Sequence, residues 1–191
     1  MCGIVGALAQ RNVSSILLEG LYRLEYRGYD SAGMALIEDQ KLARFRALGK
    51  VSELEARMSV EQPGHIGIAH TRWATHGAPS ETNAHPQFSS DRVAVVHNGI
   101  IENYKGIRER LLKAGYEFSS ETDSEVVAHL IDSHFKDDLF VAVKTAVDEL
   151  EGAFALGIIA VDDPDTLVAC RRGNPLVVGV GIKENFVASD V

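Results

Sequence analysis

Apolar segments with the length of β-strands occupy both ends of this sequence, and most segments with helical periodicity lie between them. The strand-like segments are 3–9, 34–38, 41–48, 65–70 and 93–97 in the first part, and 153–161, 166–171, 176–180 and 186–189 in the last. Regular alternation of strands and helices would instead predict repeated βαβ units, and no such repeat is present. The order of segments therefore predicts an α+β fold with separate helical and sheet layers.

Helical periodicity is clearest from residue 14 to residue 25, where Leu17, Leu21 and Leu24 fall on one face. Further helices are predicted over 51–58 and 103–114, from Thr122 or Asp123 to 132, and from Asp137 or Asp138 to 150. Thr and Asp are favoured N-cap residues, so they define the predicted starts of the last two helices. We expect a hairpin turn at Gln40 and a long functional loop over 71–90. The region of Gly28 and Gly33 is expected to end the first helix and to lead into the strand that starts at residue 34.

Size and charge restrict the class of protein. With 191 residues, 46% of them hydrophobic, the chain can bury one substantial core, so we expect a single domain. A formal charge of −8 without a basic cluster argues against nucleic-acid binding. Two cysteines cannot form a disulfide framework, and no secretory leader or membrane-length apolar run occurs, which predicts a soluble cytoplasmic protein. The end at Val191, directly after an apolar strand, favours a domain of a longer protein.

Cys2 becomes the amino terminus when Met1 is removed, which places a thiol and a free α-amine on one residue. An α-amine has a pKa of about 7.7–8.0, so at neutral pH part of it is free to accept a proton. The residue then combines a nucleophile with its base, as N-terminal threonine enzymes do. Cys2 alone, beside the apolar run that follows it, is more typical of a buried strand residue than of a nucleophile.

Two polar segments contain charged groups suited to an amino-acid ligand. Segment 70–77, HTRWATHG, contains Arg72, whose guanidinium can hold a carboxylate through two parallel hydrogen bonds; an ordinary ion pair is the alternative. Segment 120–125, SETDSE, is typical of a helix N-terminus. We expect Asp123 to be exposed there, where it could receive an ammonium group, although Asp also favours a helix start for electrostatic reasons alone.

A third segment, 97–103, HNGIIEN, contains an Asn-Gly pair directly after a strand. This pair most often marks a tight turn. The functional alternative is an oxyanion hole, with the Asn98 side-chain amide and the Gly99 backbone N–H as donors for the tetrahedral intermediate of acyl transfer.

Metal and second-thiol chemistry are disfavoured. The seven histidines lack the helical ligand spacing of a zinc site, since His129 and His134 are five residues apart and so lie on different helix faces. Cys170 lies in a strand pattern and is predicted to be inert core.

Together, five motifs resemble one family: CGIVG at Cys2, EYRGYDSAG over 25–33, and the three segments above. They are similar to the N-terminal glutaminase domain of the glutamine–fructose-6-phosphate aminotransferases (isomerizing), which are class II glutamine amidotransferases. The resemblance covers the chain from Cys2 to its end, and five motifs in the same order are specific. It implies the N-terminal-nucleophile hydrolase fold, a four-layer α/β/β/α sandwich with two antiparallel sheets.

The resemblance also implies an activity: L-glutamine is hydrolysed to L-glutamate and ammonia through a γ-glutamyl thioester. In the full-length family members the ammonia reaches a C-terminal isomerase domain, which forms glucosamine 6-phosphate from fructose 6-phosphate. That domain is absent from residues 1–191, so the chain itself is expected to be a glutaminase. No metal or organic cofactor is implied, and the full-length enzyme is expected to be a homodimer.

Residue roles carry over from the same resemblance. Cys2 is the nucleophile, and Asn98 and Gly99 form the oxyanion hole. Arg72 holds the substrate carboxylate and Asp123 its ammonium group. Thr75 and His76 line the pocket, and Trp73 closes it or relays closure to the partner domain. Arg27 is a supporting residue near the nucleophile without an assigned role.

Two alternatives remain open. Another class II amidotransferase, of the phosphoribosyl-pyrophosphate or asparagine-forming type, is disfavoured by the Trp73 segment and the 25–33 motif. A silent regulatory module would result from retention of Met1, because an acylated Cys2 nitrogen is not a base. Cysteine is small enough for methionine removal, so we expect cleavage in the cell.

Overall fold

The structure, a computed structural model, describes residues 2–58, 62–74 and 77–191. Within these residues the chain forms two antiparallel sheets, one of six strands in the order β3-β2-β4-β1-β10-β9 and one of four in the order β5-β6-β7-β8. The six-stranded sheet contains β1 (Gly3–Ala9), β2 (Ser31–Glu38), β3 (Lys41–Leu48), β4 (Ile66–Arg72), β9 (Val177–Val180) and β10 (Glu184–Ala188). The four-stranded sheet contains β5 (Gln87–Ser89), β6 (Val93–Ile101), β7 (Gly152–Ala160) and β8 (Asp163–Arg172). The helices are α1 (Ser14–Leu24), α2 (Val51–Arg57), α3 (Tyr104–Lys113), α4 (Asp123–His134) and α5 (Leu139–Glu149), and a 3₁₀ turn spans Glu25–Arg27.

Three apolar clusters fill the spaces between four layers of secondary structure. One cluster joins α1 and α2 to the six-stranded sheet and includes Leu17 and Leu54. A second fills the space between the sheets, and a third joins the four-stranded sheet to α3, α4 and α5. The predicted four-layer α+β sandwich with two antiparallel sheets is therefore confirmed.

Strand β6 illustrates how the sequence produces these layers. Val93 and Val95 pack into the cluster beneath the helices, whereas Ala94 and Val96 pack between the sheets. Successive side chains of a strand point to opposite faces, so a strand covered on both faces reads as an unbroken apolar run. The same alternation orients the polar residues that follow on β6.

Side-chain caps fix the starts of the two helices predicted from their Thr and Asp residues. The Thr122 hydroxyl accepts from the Glu125 N–H at the start of α4, and the Asp138 carboxylate accepts from the Val141 N–H at the start of α5. These bonds satisfy backbone donors that the first turn of a helix leaves free. Both predicted starts are confirmed, as is the hairpin turn at Gln40, which has a φ of +60°.

Three local predictions differ from the structure. The region 71–90 is not one loop, because residues 71 and 72 extend β4 and Gln87–Ser89 form β5. The strand predicted over 93–97 extends to Ile101, so Asn98-Gly99 does not take the common alternative of a tight turn but lies inside β6, opposite Ala155 and Phe154 of β7. The first helical segment ends before Gly28 as expected, but the next strand, β2, begins at Ser31 and not at Met34. Gly33 therefore lies in β2, where a Cβ atom would be 2.0 Å from the carbonyl oxygen of His85, so this strand needs a glycine at the contact.

Candidate active site

A cavity of about 540 Å³ opens where the polar ends of several elements meet. Cys2 lies just before β1, Arg72 ends β4, Asn98 and Gly99 lie on β6, and Asp123 begins α4; all five line the cavity. Strand β4 pairs with β1, so Gly3 lies opposite Thr71 and the nucleophile lies beside the segment that contains Arg72. Residues distant in sequence thus meet because β1 pairs with β4 in one sheet and the other sheet, with β6, faces it.

Cys2 is held by backbone and side-chain contacts on both sides. Its Sγ accepts a hydrogen bond from the Trp73 N–H at 3.1 Å, and its carbonyl oxygen accepts from Asn98 Nδ2 at 3.2 Å and from Arg27 Nη1 at 3.5 Å. Burial raises the pKa of the Cys2 thiol, although the Trp73 N–H opposes that change. The resting thiol is therefore protonated at neutral pH, and attack requires a base to remove its proton.

Asn98 and Gly99 both line the cavity next to Cys2. The Asn98 amide nitrogen points towards Cys2, and the Asn98 carbonyl oxygen accepts from Asn174 Nδ2 at 2.8 Å. Gly99 has a φ of +128°, and a Cβ atom there would be 2.1 Å from the carbonyl oxygen of Ala153. No other residue type fits this position without backbone movement. An amide donor that bonds to the carbonyl oxygen of the thiol-bearing residue, at the cavity that this residue lines, is suited to stabilise an oxyanion.

Arg72 is 3% exposed and lies at the carboxyl end of β4. Its Nη1 is 3.9 Å from Asp30 Oδ1, and its Nη2 donates to the Gly77 carbonyl oxygen at 3.4 Å. Asp30 also accepts from the Ala74 N–H at 2.5 Å, which joins the chain after β4 to the turn before β2. A buried guanidinium that faces a cavity is suited to a carboxylate ligand.

Asp123 is buried, at 3% exposure, so the expectation that it would be exposed is wrong. Its Oδ2 accepts from the Ile101 N–H at 2.9 Å, which draws the first turn of α4 against the end of β6. The other oxygen is 3.9 Å from His97 Nδ1 and 3.5 Å from the Ser124 hydroxyl. A carboxylate accepts several hydrogen bonds, so Asp123 retains capacity for an ammonium group in the cavity.

Trp73 and Arg27 lie at the edge of the cavity. The Trp73 side chain is 54% exposed, and its ring lies over Gly28. Arg27 pairs with Asp190 at 2.7 Å and donates to the Ser189 carbonyl oxygen at 3.4 Å. Because the same guanidinium contacts the Cys2 carbonyl oxygen, Arg27 connects the nucleophile to the end of β10. Two further predicted site residues, Thr75 and His76, lie outside the described residues.

Three contributors were not found by sequence reasoning: Asp30, Asn174 and Ser189. Ser189 Oγ accepts from the Ile4 N–H at 3.0 Å and so ties the end of β10 to the strand that carries Cys2. Asn174 and Ser189 each lie just after a strand. Each is more than 70 residues in sequence from the residue that it bonds, so no local pattern identifies them. Asp30 lies in the 25–33 motif, one of the five that resemble the family, so that motif could have identified it as a candidate.

Cys170 does not join the cavity. It packs partly buried against the cluster beneath the helices, and burial raises its pKa to about 11, in agreement with the prediction of an inert thiol. Within residues 2–58, 62–74 and 77–191, His, Cys, Asp and Glu side chains form no group of three able to hold a metal ion. In the same residues no helix is both long and apolar enough to cross a membrane.

Comparisons with known proteins point to one family. A family model described as a glutamine amidotransferase domain matches residues 70–191. Over its whole length the chain is 60% identical to a glutamine–fructose-6-phosphate aminotransferase (isomerizing) of Pseudomonas syringae pv. tomato and 58% identical to that of Pseudomonas aeruginosa. It spans 32% of the length of each of these relatives.

A solved glutamine phosphoribosylpyrophosphate amidotransferase from B. subtilis matches 98% of this chain with a TM-score of 0.83 and 27% identity. The match covers 42% of that protein. Together with the two antiparallel sheets and their helical layers, this similarity confirms the predicted N-terminal-nucleophile hydrolase fold.

Proposed function

The chain belongs to the glutamine amidotransferase domain family, and from that premise we propose that its cavity hydrolyses L-glutamine to L-glutamate and ammonia. The observation that carries this proposal is the position of Cys2: it lines the cavity just before β1, and the Asn98 amide nitrogen is 3.2 Å from its carbonyl oxygen. The α-amine that Cys2 gains when Met1 is removed is the base that the protonated thiol needs.

The proposed reaction has two steps. The α-amine takes the thiol proton while Sγ attacks the γ-carboxamide carbon, and the oxygen that becomes negative is stabilised by Asn98 Nδ2 and the Gly99 N–H. The protonated amine then donates its proton to the leaving nitrogen, so that ammonia departs and a γ-glutamyl thioester remains. Water adds to the thioester with the amine again as base, and collapse of this intermediate releases glutamate and restores the thiol.

Two charged groups hold the amino-acid end of the substrate. Arg72 binds the α-carboxylate and Asp123 the α-ammonium group, which directs the side-chain amide of glutamine towards Cys2. Thr75 and His76 contribute to the pocket in this proposal, Trp73 closes its mouth, and Arg27 holds the main chain of Cys2 in place. No metal or organic cofactor takes part.

Residues 1–191 are, in this proposal, the glutaminase domain of a longer glutamine–fructose-6-phosphate aminotransferase (isomerizing). The chain spans about a third of its curated relatives, which are 58–60% identical to it and carry that name. The full-length protein would bring ammonia to a C-terminal isomerase domain, use fructose 6-phosphate and form a homodimer. The much lower identity of 27% to the phosphoribosylpyrophosphate enzyme disfavours that acceptor. We also propose a cytoplasmic location, which the two free cysteines and the need for a reduced nucleophile support.

The test is glutamate release from glutamine by the purified chain, after intact mass shows that Met1 is absent. Cys2→Ala should abolish release, whereas the matched variant Cys170→Ala should keep it. A form that retains Met1 should be inactive, because its Cys2 nitrogen is an amide. Full activity of Cys2→Ala would refute the proposal.

A further inference from the structure

The side-chain amide of Asn98 has two orientations, related by a half-turn, and only one of them serves an oxyanion hole. In that orientation Nδ2 faces the Cys2 carbonyl oxygen at 3.2 Å and the cavity beyond it. The reverse orientation places Oδ1 there, where two acceptor oxygens would oppose each other and no donor would remain for the substrate. Something must therefore select between the two.

His70 contacts the other end of this amide. It lies on β4 opposite Ile4 of β1 and Gly33 of β2, and it is fully buried. Its Nε2 is 2.9 Å from Asn98 Oδ1 and 3.0 Å from the carbonyl oxygen of His97. A backbone carbonyl only accepts hydrogen bonds, so Nε2 must carry the proton and the Asn98 atom that faces it must be the oxygen.

The surroundings keep His70 in this donor form. Its Nδ1 is buried without a hydrogen-bond partner among the described residues, so the proton gains nothing by moving there. Its ring packs 4.3 Å from that of His85, which is also buried. Burial lowers the pKa of His70 to about 3, so the ring is neutral over the physiological range and Nε2 remains its donor.

From these contacts we infer that His70 is a positioning residue, whose Nε2–H fixes the Asn98 amide with its nitrogen towards Cys2. The inference rests on the proposed glutaminase function for its catalytic consequence. His70 does not touch the substrate. It acts through Asn98, and its loss frees the amide to take the unproductive orientation.

Two amide substitutions separate positioning from packing. In His70→Gln the side-chain amide nitrogen can take the place of ring Nε2. In His70→Asn the side chain is shorter, so its amide nitrogen reaches only the place of Nδ1 and cannot contact Asn98. We expect His70→Gln to keep kcat within about 5-fold of the parent. His70→Asn should lower kcat by about 10- to 100-fold and change KM by less than about 3-fold, since losing an oxyanion donor outright costs about 100- to 1,000-fold.

A buried histidine outside the site provides the matched control. His129 on α4 is 5% exposed and bonds to the Ser89 hydroxyl at 2.8 Å. His129→Asn should lower the melting temperature but leave kcat within about 2-fold, because this ring has no contact with Asn98. Equal kcat losses in His70→Gln and His70→Asn, or in His70→Asn and His129→Asn, would overturn the inference.

A double-mutant cycle tests the route through Asn98. If His70 acts only through that amide, His70→Asn should lower kcat by less than about 2-fold when added to Asn98→Ala. The same fold loss on both backgrounds would show that His70 acts independently of the amide, which would also overturn the inference.

Nitrogen-15 NMR of the histidine rings separates this inference from the proposed function. It should show His70 with a proton on Nε2 and none on Nδ1 from pH 5 to 8, whether or not the sample is active. A proton on Nδ1 would overturn the inference while the glutaminase assay still succeeded. Conversely, a parent chain that releases no glutamate but shows this tautomer would refute the proposed function and leave the assigned orientation supported.

Discussion

Glu125 gives the sharpest test of how the start of α4 is held, and therefore of how Asp123 is placed. The Glu125 carboxylate is 2% exposed and accepts four hydrogen bonds. One oxygen accepts from the N–H and hydroxyl of Ser119, at 2.8 Å each, and the other from the same groups of Ser120, at 2.7 Å each. The loop before α4 is thus bound to the first turn of the helix.

Glu125→Gln keeps the shape of the side chain but replaces one oxygen by an NH2 group. Two of the four hydrogen bonds survive, while one serine N–H then faces a donor instead of an acceptor. Hydrogen bonds to a charged group contribute about 1.5–3 kcal/mol, and an unsatisfied buried donor costs about 1–3 kcal/mol. Since the freed hydroxyl can reorient, we expect a net loss of about 2–3 kcal/mol, or about 4–12 °C in Tm for a chain of this size.

Urea denaturation with an unchanged m-value, together with calorimetry, measures this loss. Glu109→Gln is the matched control, because Glu109 is exposed on α3 and its change should stay within about 0.5 kcal/mol. A Glu125→Gln protein as stable as the control would refute the reasoning, since the four bonds would then contribute nothing net.

Three further results are expected at the catalytic centre. Asn98→Ala should lower kcat by about 100- to 1,000-fold with little change in KM, as steady-state kinetics would show; a change confined to KM would contradict the oxyanion role. Gly99→Ala should lower both Tm and kcat, because its Cβ would be 2.1 Å from the Ala153 carbonyl oxygen, and an unperturbed Tm would contradict the close contact. In the form that retains Met1, the rate at which iodoacetamide alkylates Cys2, followed by mass spectrometry, should still increase with pH above about 8.5, the usual thiol pKa, because burial raises the pKa of Cys2. A rate that stops increasing below that pH would contradict the burial argument.

Elements that depend on local periodicity could be predicted from the sequence. The helix over Ser14–Leu24 and the starts of α4 and α5 follow from apolar spacing and N-cap residues, which are properties of neighbouring residues. Two departures from local patterns have tertiary causes. Asn98-Gly99 is a frequent turn pair, yet pairing with β7 keeps it extended, and Gly33 stays in a strand because another backbone approaches it closely.

The site was predictable as a set of motifs but not as a geometry. The sequence places a thiol, an amide, a guanidinium and a carboxylate in separate segments. Only the pairing of β1 with β4 brings Cys2 beside Trp73, and only the stacking of the two sheets brings it beside Asn98. Burial of Asp123 was not predictable, because it follows from the packing of α4 against β6. Supporting contacts such as the one from Asn174 join residues 76 positions apart and leave no local pattern.

The central claim is that Cys2 is the nucleophile of a glutamine-binding cavity, and covalent labelling tests it most directly. The chain, with Met1 shown by intact mass to be absent, is incubated with a diazoketone analogue of glutamine and mapped by peptide mass spectrometry. We expect one label per chain, on Cys2, and protection by excess L-glutamine. A label on Cys170, or labelling of Cys2 that glutamine does not slow, would contradict it.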